Sequence, residues 1–352
     1  MRRPRLDPSV FNLPVERMRS GYYSDKYFVR TREVLREDRH EPRVLMQVFG
    51  KSQAYLGGID EAIAIVKLCA DDPAAIDIHA LYDGDPIAPY ETVMTIEGPY
   101  PALAVLETLY LGVLARRTRV GTNTRLVVDA ARPKTVMFFP ARHDHWLVQT
   151  GDGYAAHIAG AIGVSTDAQA SWWGSSGLGT VPHSLIAAYH GDTVRATTKL
   201  AEFIEPETQI VTLVDYENDC VRTSVDVARA LGTRLWGVRL DTSENLVDVS
   251  IVPQMGAFRP TGVNPQLVWN VREALDREGF QHVKIVVSGG FTVDKIRQFE
   301  EQGVPVDSYG VGSSLFGGRY DFTADIVMVE GQPEAKVGRT YRPNARLERV
   351  SL

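Results

Sequence analysis

The sequence predicts an α/β protein built around parallel strands, because short apolar runs alternate with helical patterns after Pro133. These runs are almost continuously apolar, which is typical of strands that helices cover on both faces. From the residues alone, an α/β barrel and a doubly wound sheet fit equally well. The predicted strands are Val136–Phe139, Gln209–Val214, Leu235–Leu240, Val283–Val287 and Ser308–Val311.

The part of the chain before Pro133 has a mixed pattern and predicts a separate first domain. A chain of 352 residues exceeds the size at which one hydrophobic core stops growing, so two domains are expected. We predict an N-terminal α/β domain over residues 1–133 and a second domain over residues 134–324, with residues 325–352 returning to the first. The elements predicted in the first domain are strands at Val44–Phe49, Ile76–Tyr82 and Glu91–Ile96 and helices at Asp60–Cys69 and Ala102–Ala131.

The composition is that of an ordinary globular protein, with 44% hydrophobic and 23% charged residues. A net charge of −6 gives no basic surface for nucleic acid or for an anionic membrane. No apolar run approaches the roughly 20 residues that span a bilayer, and no signal peptide is expected. Cys69 and Cys220 are too few for a disulfide framework or a thiolate metal site, so we expect buried, neutral thiols. These observations predict a cytoplasmic enzyme with no nucleic-acid or membrane partner.

Glycine and serine residues end the last two predicted strands. Ser288, Gly289 and Gly290 follow one strand, and Gly310, Gly312 and Ser313 end the next. Small residues let backbone N–H groups approach an anion, and the helix that follows each strand adds positive potential at its N-terminus. The loops after the last two strands of a barrel are also a recurrent phosphate site. We therefore predict a phosphate site, the alternative being tight strand–helix turns.

Charged side chains mark two earlier strand ends. Arg239 and Asp241 are two residues apart and so lie on one side of an extended strand. Asp215 follows another strand, close to Glu217 and Asp219. The alternative is a surface loop that supplies helix N-caps. If these carboxylates face a polyphosphate, Mg²⁺ is expected between them, although the sequence does not assign its ligands.

His183 lies in the segment Gly177–Ser184, among small residues at a predicted strand-to-helix junction. This setting leaves room for a ligand and makes His183 a candidate general base or nucleophile. The alternative is a structural histidine, since the chain contains eight histidines.

Several motifs, in order along the chain, resemble those of nicotinate phosphoribosyltransferases. The resemblance implies an irregular, TIM-like α/β barrel and an N-terminal α/β domain that the C-terminal segment completes. It also implies a homodimer in which the partner's N-terminal region covers each barrel mouth. The motifs are Tyr23–Arg32, Gly179–Ser184, Gly237–Asp241, Ser288–Gly290, Gly310–Ser314 and Val337–Asn344.

The resemblance implies a role for each matching residue. Phe139 and the partner subunit's Tyr27 would enclose the pyridine ring of the substrate, where aromatic stacking suits a flat ring. Arg142 would hold the substrate carboxylate or a phosphate. The other substrate-binding residues would be Thr180, Arg239 and Asp241, and the 5′-phosphate would lie on Ser288, Gly289, Gly290, Gly310, Gly312 and Ser313.

In this family ATP phosphorylates the histidine that matches His183, and ATP binds in the phosphoribosyl pyrophosphate site. Asp215 would orient the imidazole and stabilise its charged form. The implied enzyme joins nicotinate to phosphoribosyl pyrophosphate with Mg²⁺, releasing pyrophosphate and nicotinate mononucleotide for NAD synthesis. ATP hydrolysis would drive this reversible transfer.

Two departures from the family pattern concern the identity of the pyridine substrate. His143 stands where many members have arginine, and Asp167 resembles an aspartate of nicotinamide phosphoribosyltransferases. A carboxylate at Asp167 would accept a hydrogen bond from an amide but repel a carboxylate, although a helix N-cap also fits. The sequence is also compatible with a quinolinate phosphoribosyltransferase, a non-catalytic phosphometabolite-binding barrel protein, and a phosphate-binding barrel isomerase or decarboxylase.

Overall fold

A computed structural model describes residues 3–256 and 258–350. The helices are α1 (Val15–Arg19), α2 (Lys26–Glu37), α3 (Ile59–Cys69), α4 (Tyr100–Leu103), α5 (Glu107–Ala131), α6 (Gln149–Ala159), α7 (Asp167–Ala170), α8 (His183–Ala188), α9 (Thr193–Phe203), α10 (Cys220–Leu231), α11 (Pro265–Arg277) and α12 (Val293–Glu301). The strands are β1 (Arg43–Gly50), β2 (Ala54–Tyr55), β3 (Asp77–Ala80), β4 (Pro86–Ile87), β5 (Thr92–Pro99), β6 (Thr135–Phe138), β7 (Gly163–Val164), β8 (Ile210–Leu213), β9 (Leu235–Leu240), β10 (Lys284–Val287), β11 (Ser308–Val311), β12 (Phe322–Val329), β13 (Gln332–Pro333) and β14 (Glu348–Arg349).

These elements form two compact units. One unit comprises the described residues up to Asn123, Thr150–Ala159, and those from Phe316 onward. The other comprises Thr124–Gln149 and Gly160–Leu315. We refer to them as the sheet unit and the barrel unit. No helix in the described part of the chain is both long enough and apolar enough to cross a membrane.

The sheet unit contains a six-stranded antiparallel sheet in the order β13-β12-β1-β5-β3-β14. The predicted return of the C-terminal segment is visible here, because β12 pairs with β1 from Val44 to Gly50 and β14 pairs with β3. Helix α3 follows the predicted apolar pattern, and most of its residues are buried. Cys69, at the end of α3, is buried as expected, and desolvation raises the pKa of its thiol to about 11.

The barrel unit contains six parallel strands in the order β7-β6-β11-β10-β9-β8. The first long strand of this unit, β6, pairs in parallel with the last, β11, so the sheet curls back on itself. Between the edge strands, the Leu178 N–H donates to the Val164 carbonyl, with N and O 2.7 Å apart, and Val181 forms a parallel bridge with Thr212. The expected irregular α/β barrel is therefore confirmed, with the segment 178–181 in place of a regular strand between β7 and β8.

Side-chain caps fix where the helices of the barrel unit begin. Asp219, Asn264 and Thr292 accept hydrogen bonds from the first-turn N–H groups of α10, α11 and α12, respectively. All residues of β8 and β11 are buried, as the continuous apolar runs predicted. Because the strands are parallel, their carboxyl ends share one rim of the barrel, and the candidate site lies there.

Candidate active site

The carboxyl ends of the barrel strands surround a cleft of about 800 Å³. This volume is in the range of small-molecule sites in proteins. Every residue that lines the cleft belongs to the barrel unit. Of the residues predicted from the sequence, the cleft is lined by Phe139, Arg142, Thr180, His183, Arg239, Asp241, Ser288, Gly289, Gly290, Gly310, Gly312 and Ser313.

The turn Ser288–Thr292, which is predicted to bind phosphate, connects β10 to α12 and is called the phosphate-binding turn after that prediction. Gly289 and Gly290 have φ angles of 84° and 67°, in the left-handed region that favours glycine. A Cβ atom at Gly290 would lie 2.1 Å from Glu244 Oε1, so the carboxylate of Glu244 occupies the space beside this turn. The Ser314 hydroxyl donates to the carbonyl of Phe291 with an O···O distance of 2.8 Å, which joins the last two strand ends into one surface.

An aromatic wall stands opposite this turn, after β6. The ring of Phe139 packs on the backbone of Gly310, where a Cβ atom would lie 2.6 Å from its Cδ2 atom. The His143 ring packs on Gly312 in the same way, with Cε1 2.9 Å from the corresponding position. The guanidinium carbon of Arg239 is 5.3 Å from the centroid of the Phe139 ring. A flat face with a cation nearby suits a planar, electron-poor or anionic ring.

Arg239 connects three segments of the cleft. Its Nε donates to Ser288 Oγ at 2.8 Å, and one terminal nitrogen donates to Thr180 Oγ1 at 3.0 Å. The other terminal nitrogen lies 3.2 Å from Asp241 Oδ2. Ser288 Oγ in turn donates to Asp241 Oδ1 at 2.7 Å, so both carboxylate oxygens are held. Such a closed network fixes the orientation of the carboxylate before any ligand binds.

His183 and Asp215 form a second polar pair at the rim. His183 is the first residue of α8, and its Nε2 lies 2.9 Å from Asp215 Oδ1. The imidazole is 45% exposed, whereas the carboxylate is only 9% exposed. Burial raises the pKa of Asp215, and the hydrogen bond with His183 opposes this shift. The carboxylate therefore holds Nε2, while Nδ1 has no hydrogen-bond partner among the described residues.

Three predicted residues are not in the cleft lining: Asp215, which bonds to His183 at the rim, Asp167 and Tyr27. Asp167 Oδ1 accepts a hydrogen bond from the backbone N–H of Gly177 at 2.8 Å and so closes the loop between them. Tyr27 belongs to the sheet unit, where it lies on α2 with 61% of its surface exposed. Its hydroxyl is 3.4 Å from Asp25 Oδ2.

The cleft also contains side chains that were not predicted as site residues. Glu244 comes three residues after Asp241, in an irregular segment without a motif that would single it out. His143 was noted in the sequence only as standing where many family members have arginine, and it had no assigned role. Ser184 and Ser314 sit inside predicted motifs but had no assigned role.

The chain resembles known proteins over most of its length. A sequence profile described as the quinolinate phosphoribosyl transferase N-terminal domain matches residues 25–118. The crystal structure of a nicotinate-nucleotide pyrophosphorylase from Pyrococcus furiosus is 31% identical, with a TM-score of 0.80 over 96% of this chain and 85% of that one. The chain belongs to the type II phosphoribosyltransferase family. The turn Ser288–Thr292 and the Arg239 network therefore lie in the barrel unit of a type II phosphoribosyltransferase.

Other similar proteins carry the name nicotinate phosphoribosyltransferase. A nicotinate phosphoribosyltransferase of Mycobacterium tuberculosis is 29% identical over 271 residues, which is 74% of this chain and 55% of that relative. The chain thus spans about half the length of the curated nicotinate phosphoribosyltransferases it matches. Human nicotinic acid phosphoribosyltransferase shares the fold, with a TM-score of 0.69, 16% identity, and coverage of 90% of this chain and 77% of the human one.

Proposed function

We propose that this type II phosphoribosyltransferase transfers the phosphoribosyl group of phosphoribosyl pyrophosphate to nicotinate, forming nicotinate mononucleotide for NAD synthesis. The observation that carries the proposal is the His183–Asp215 pair at the rim of a cleft that also contains the phosphate-binding turn. His183 belongs to the segment Gly179–Ser184, which resembles a motif of nicotinate phosphoribosyltransferases. The Mycobacterium tuberculosis relative of that name supports the same choice.

The cleft residues have a defined task in this reaction. The bond between C1 of the ribose and the pyrophosphate oxygen breaks, and the ring nitrogen of nicotinate attacks the oxocarbenium-like C1. Phe139 would stack on the pyridine ring, and Arg142 would bind its carboxylate. Asp241, fixed by Ser288 and Arg239, would accept hydrogen bonds from ribose hydroxyls. Positive charge develops at C1 in the transition state, and the negative charge of the Asp241 carboxylate would stabilise it.

Mg²⁺ and ATP are part of the proposal. Mg²⁺ is usually held by one or two carboxylates together with substrate phosphates, so no cluster of three protein ligands is required. Asp241 and Glu244 fit this use, and no described residue forms a hydrogen bond or ion pair with the Glu244 carboxylate. Bound Mg²⁺ would neutralise the departing pyrophosphate.

His183 would take the γ-phosphoryl group of ATP on its free Nδ1, while Asp215 keeps the ring in one orientation and stabilises its charged form. The pair would thus couple ATP hydrolysis to product formation.

Quinolinate phosphoribosyltransferase is the second candidate, favoured by the N-terminal sequence profile and by the name of the Pyrococcus furiosus relative. Quinolinate has two carboxylates and calls for a dense group of cations. Among the described lining residues, only Arg142 and Arg239 are arginine or lysine, and Arg239 already bonds to three side chains. The cleft therefore suits one carboxylate better than two. Nicotinamide is less favoured than nicotinate, because Asp167 Oδ1 accepts a hydrogen bond from Gly177 N–H and Asp167 is not among the lining residues.

The test supplies the purified protein with phosphoribosyl pyrophosphate, Mg²⁺ and one of nicotinate, nicotinamide or quinolinate, with and without ATP. We expect nicotinate mononucleotide from nicotinate, with a higher yield when ATP is present. Product from quinolinate with release of carbon dioxide would favour the second candidate. No product from any of the three pyridines would contradict both candidates.

A further inference from the structure

A second cavity, of about 530 Å³, lies on the other side of the phosphate-binding turn. It is lined by Glu244, by residues 258–264 before α11, by the start of α11, and by one face of α12 from its N-cap Thr292 to its C-cap Gln302. It shares Glu244, Gly290 and Thr292 with the catalytic cleft, so these residues form the wall between the two spaces. The proposed transfer reaction uses none of the residues that line this cavity alone.

Two cations line the second cavity without an anionic partner. Lys295 Nζ lies 3.3 Å from the carbonyl oxygen of Gly289 and 4.4 Å from the centroid of the Phe291 ring. Arg259 Nε donates to Thr261 Oγ1 at 3.2 Å. In the described parts of the chain, no carboxylate forms an ion pair with either side chain. Desolvation is the largest cause that lowers the pKa of Lys295, and the charge of Arg259 lowers it further, whereas the charge of Glu244 opposes the shift.

The surroundings of these cations favour a negatively charged guest. Helices α11 and α12 both begin at the cavity, where their N-cap residues Asn264 and Thr292 are part of its lining. The positive end of the α11 dipole therefore adds to the two cations, whereas α12 lines the cavity with both of its ends and adds no net charge of one sign. Of the lining acids, Asp294 has a side chain that is 93% exposed and lies 3.5 Å from Arg297. This leaves Glu244 as the acid between the two spaces.

The remaining walls are apolar. Phe258, Phe299, Val263 and Pro265 supply hydrocarbon and ring surface on the same cavity. Apolar and aromatic walls with a few convergent polar groups are the usual composition of a small-molecule site. A ligand that complements both the two cations and the apolar walls carries an anionic group and a flat apolar part.

We propose that the second cavity is a binding site for a small organic anion, whose carboxylate or phosphate lies between Lys295 and Arg259 and whose flat part packs on Phe258. The site is separate from the catalytic cleft and does not depend on the transfer reaction. Pyridoxal 5′-phosphate is a suitable probe because it combines a flat ring, a phosphate and an aldehyde. The aldehyde condenses with an unprotonated lysine amine, releasing water, and borohydride reduces the resulting imine to a stable label.

The experiment compares this probe with 5′-deoxypyridoxal, which carries the same aldehyde but no phosphate. After borohydride reduction, peptide mapping gives the ratio of the two labelling rates at each lysine. We expect the ratio at Lys295 to exceed that at Lys67 by about tenfold. Lys67 is the internal control because desolvation also lowers its pKa, but it belongs to the sheet unit and does not line this cavity.

Variants separate anion recognition from simple lysine reactivity. Arg259→Gln should reduce the ratio at Lys295 to that at Lys67, because the ratio cancels any change in amine protonation. Arg277→Gln removes the same charge from the last turn of α11, outside both spaces, and should leave the ratio unchanged, as should Arg142→Gln in the cleft. Equal ratios at Lys295 and Lys67 in the unmodified sequence, or a ratio insensitive to Arg259→Gln, would overturn the proposal.

Discussion

At the scale of single residues, the proposed activity depends most on how Asp215 holds His183. A half-exposed imidazole beside a buried carboxylate has one nitrogen fixed and the other available. The available nitrogen is what a phosphoryl acceptor needs, since its lone pair attacks phosphorus. A histidine that served only the fold would be expected to bury its ring, and His183 does not.

This geometry predicts the behaviour of variants with γ-labelled ATP. The protein should acquire an acid-labile label that His183→Ala abolishes. Asp215→Asn should slow labelling about a hundredfold, since an amide can no longer stabilise the imidazolium form. Quantitative protein-bound radioactivity measures both effects. His282→Ala, on an exposed histidine outside the cleft, is the control and should label normally. Full labelling of His183→Ala would mean that another residue accepts the phosphoryl group.

The sequence predicted residues at strand ends better than residues in irregular segments. Arg239, Asp241 and Ser288 were predicted because two neighbouring parallel strands place their carboxyl ends together, and the structure brings them within hydrogen-bond distance. Glu244 follows a strand but reaches the cleft only because the segment folds back over Gly290. No periodicity encodes that path. The role of Asp167 in specificity stays a prediction; its hydrogen bond to Gly177, ten residues away beyond α7, follows from no pattern in the sequence.

At the scale of elements, the turn between β10 and α12 requires glycine for two separate reasons. Gly290 has a positive φ, and a Cβ atom there would meet Glu244 at 2.1 Å. Gly303, after α12, has nearly the same φ of 63° but no neighbouring atom within 4 Å. Both glycines therefore have a positive φ, but only Gly290 has a side chain, that of Glu244, in the position of a Cβ atom.

The comparison of Gly290→Ala with Gly303→Ala isolates the role of this turn. Both variants should lose about 1 kcal/mol of stability from backbone strain, measured by thermal unfolding. Only Gly290→Ala should raise the KM for phosphoribosyl pyrophosphate, by about tenfold, because Glu244 must move and the turn must open. An unchanged KM in Gly290→Ala would show that the turn does not bind the substrate phosphate.

Glu107, the first residue of α5, gives the sheet unit a pH dependence. Desolvation, and after it the charges of Asp325 and Asp25, raise its pKa from 4.5 to about 7. A carboxyl group with a raised pKa in the folded state favours folding most below pH 4.5. That contribution is lost as the pH rises through about 7, because the charged carboxylate is desolvated and lies near the charges of Asp325 and Asp25.

Glu107→Gln should remove this dependence. Between pH 5 and pH 8, the unmodified protein should lose up to about 3 kcal/mol of unfolding free energy relative to the variant. Denaturant unfolding at the two pH values measures the difference. Glu33→Gln, on an exposed position of α2, serves as the control and should show the same pH profile as the unmodified protein. Parallel profiles for Glu107→Gln and the unmodified protein would mean that Glu107 is charged in the folded state throughout this range.

At the scale of the whole molecule, the pattern of apolar runs predicted the α/β class but did not decide between a barrel and a doubly wound sheet. The decisive contact is the pairing of β6 with β11, which joins residues about 170 positions apart. No local pattern encodes a pairing of that range. The segment 178–181 also escaped prediction as part of the barrel wall, since its short run around a glycine gives it no strand pattern.

The proposed homodimer with shared sites predicts that two inactive variants restore activity together. Tyr27→Ala and Asp241→Ala should each be inactive if Tyr27 serves the partner subunit's cleft, since Asp241 lies in the cleft of the barrel unit. Mixed and reassembled in equal amounts, they should recover about a quarter of the unmodified activity, because half of the dimers contain one intact site. Steady-state product formation after mixing measures this recovery. Absence of recovery in a sample shown to exchange subunits would contradict a shared site.

The most direct test of the central claim is a competition between nicotinate and quinolinate. The protein receives both pyridines at equal concentration, with phosphoribosyl pyrophosphate, Mg²⁺ and ATP, and the quinolinate carries a radioactive carbon in the carboxylate that is lost as carbon dioxide. Nicotinate mononucleotide should form without release of radioactive carbon dioxide. Release of radioactive carbon dioxide in proportion to the mononucleotide formed would instead show that the cleft accepts the dicarboxylate, contradicting the assignment to nicotinate.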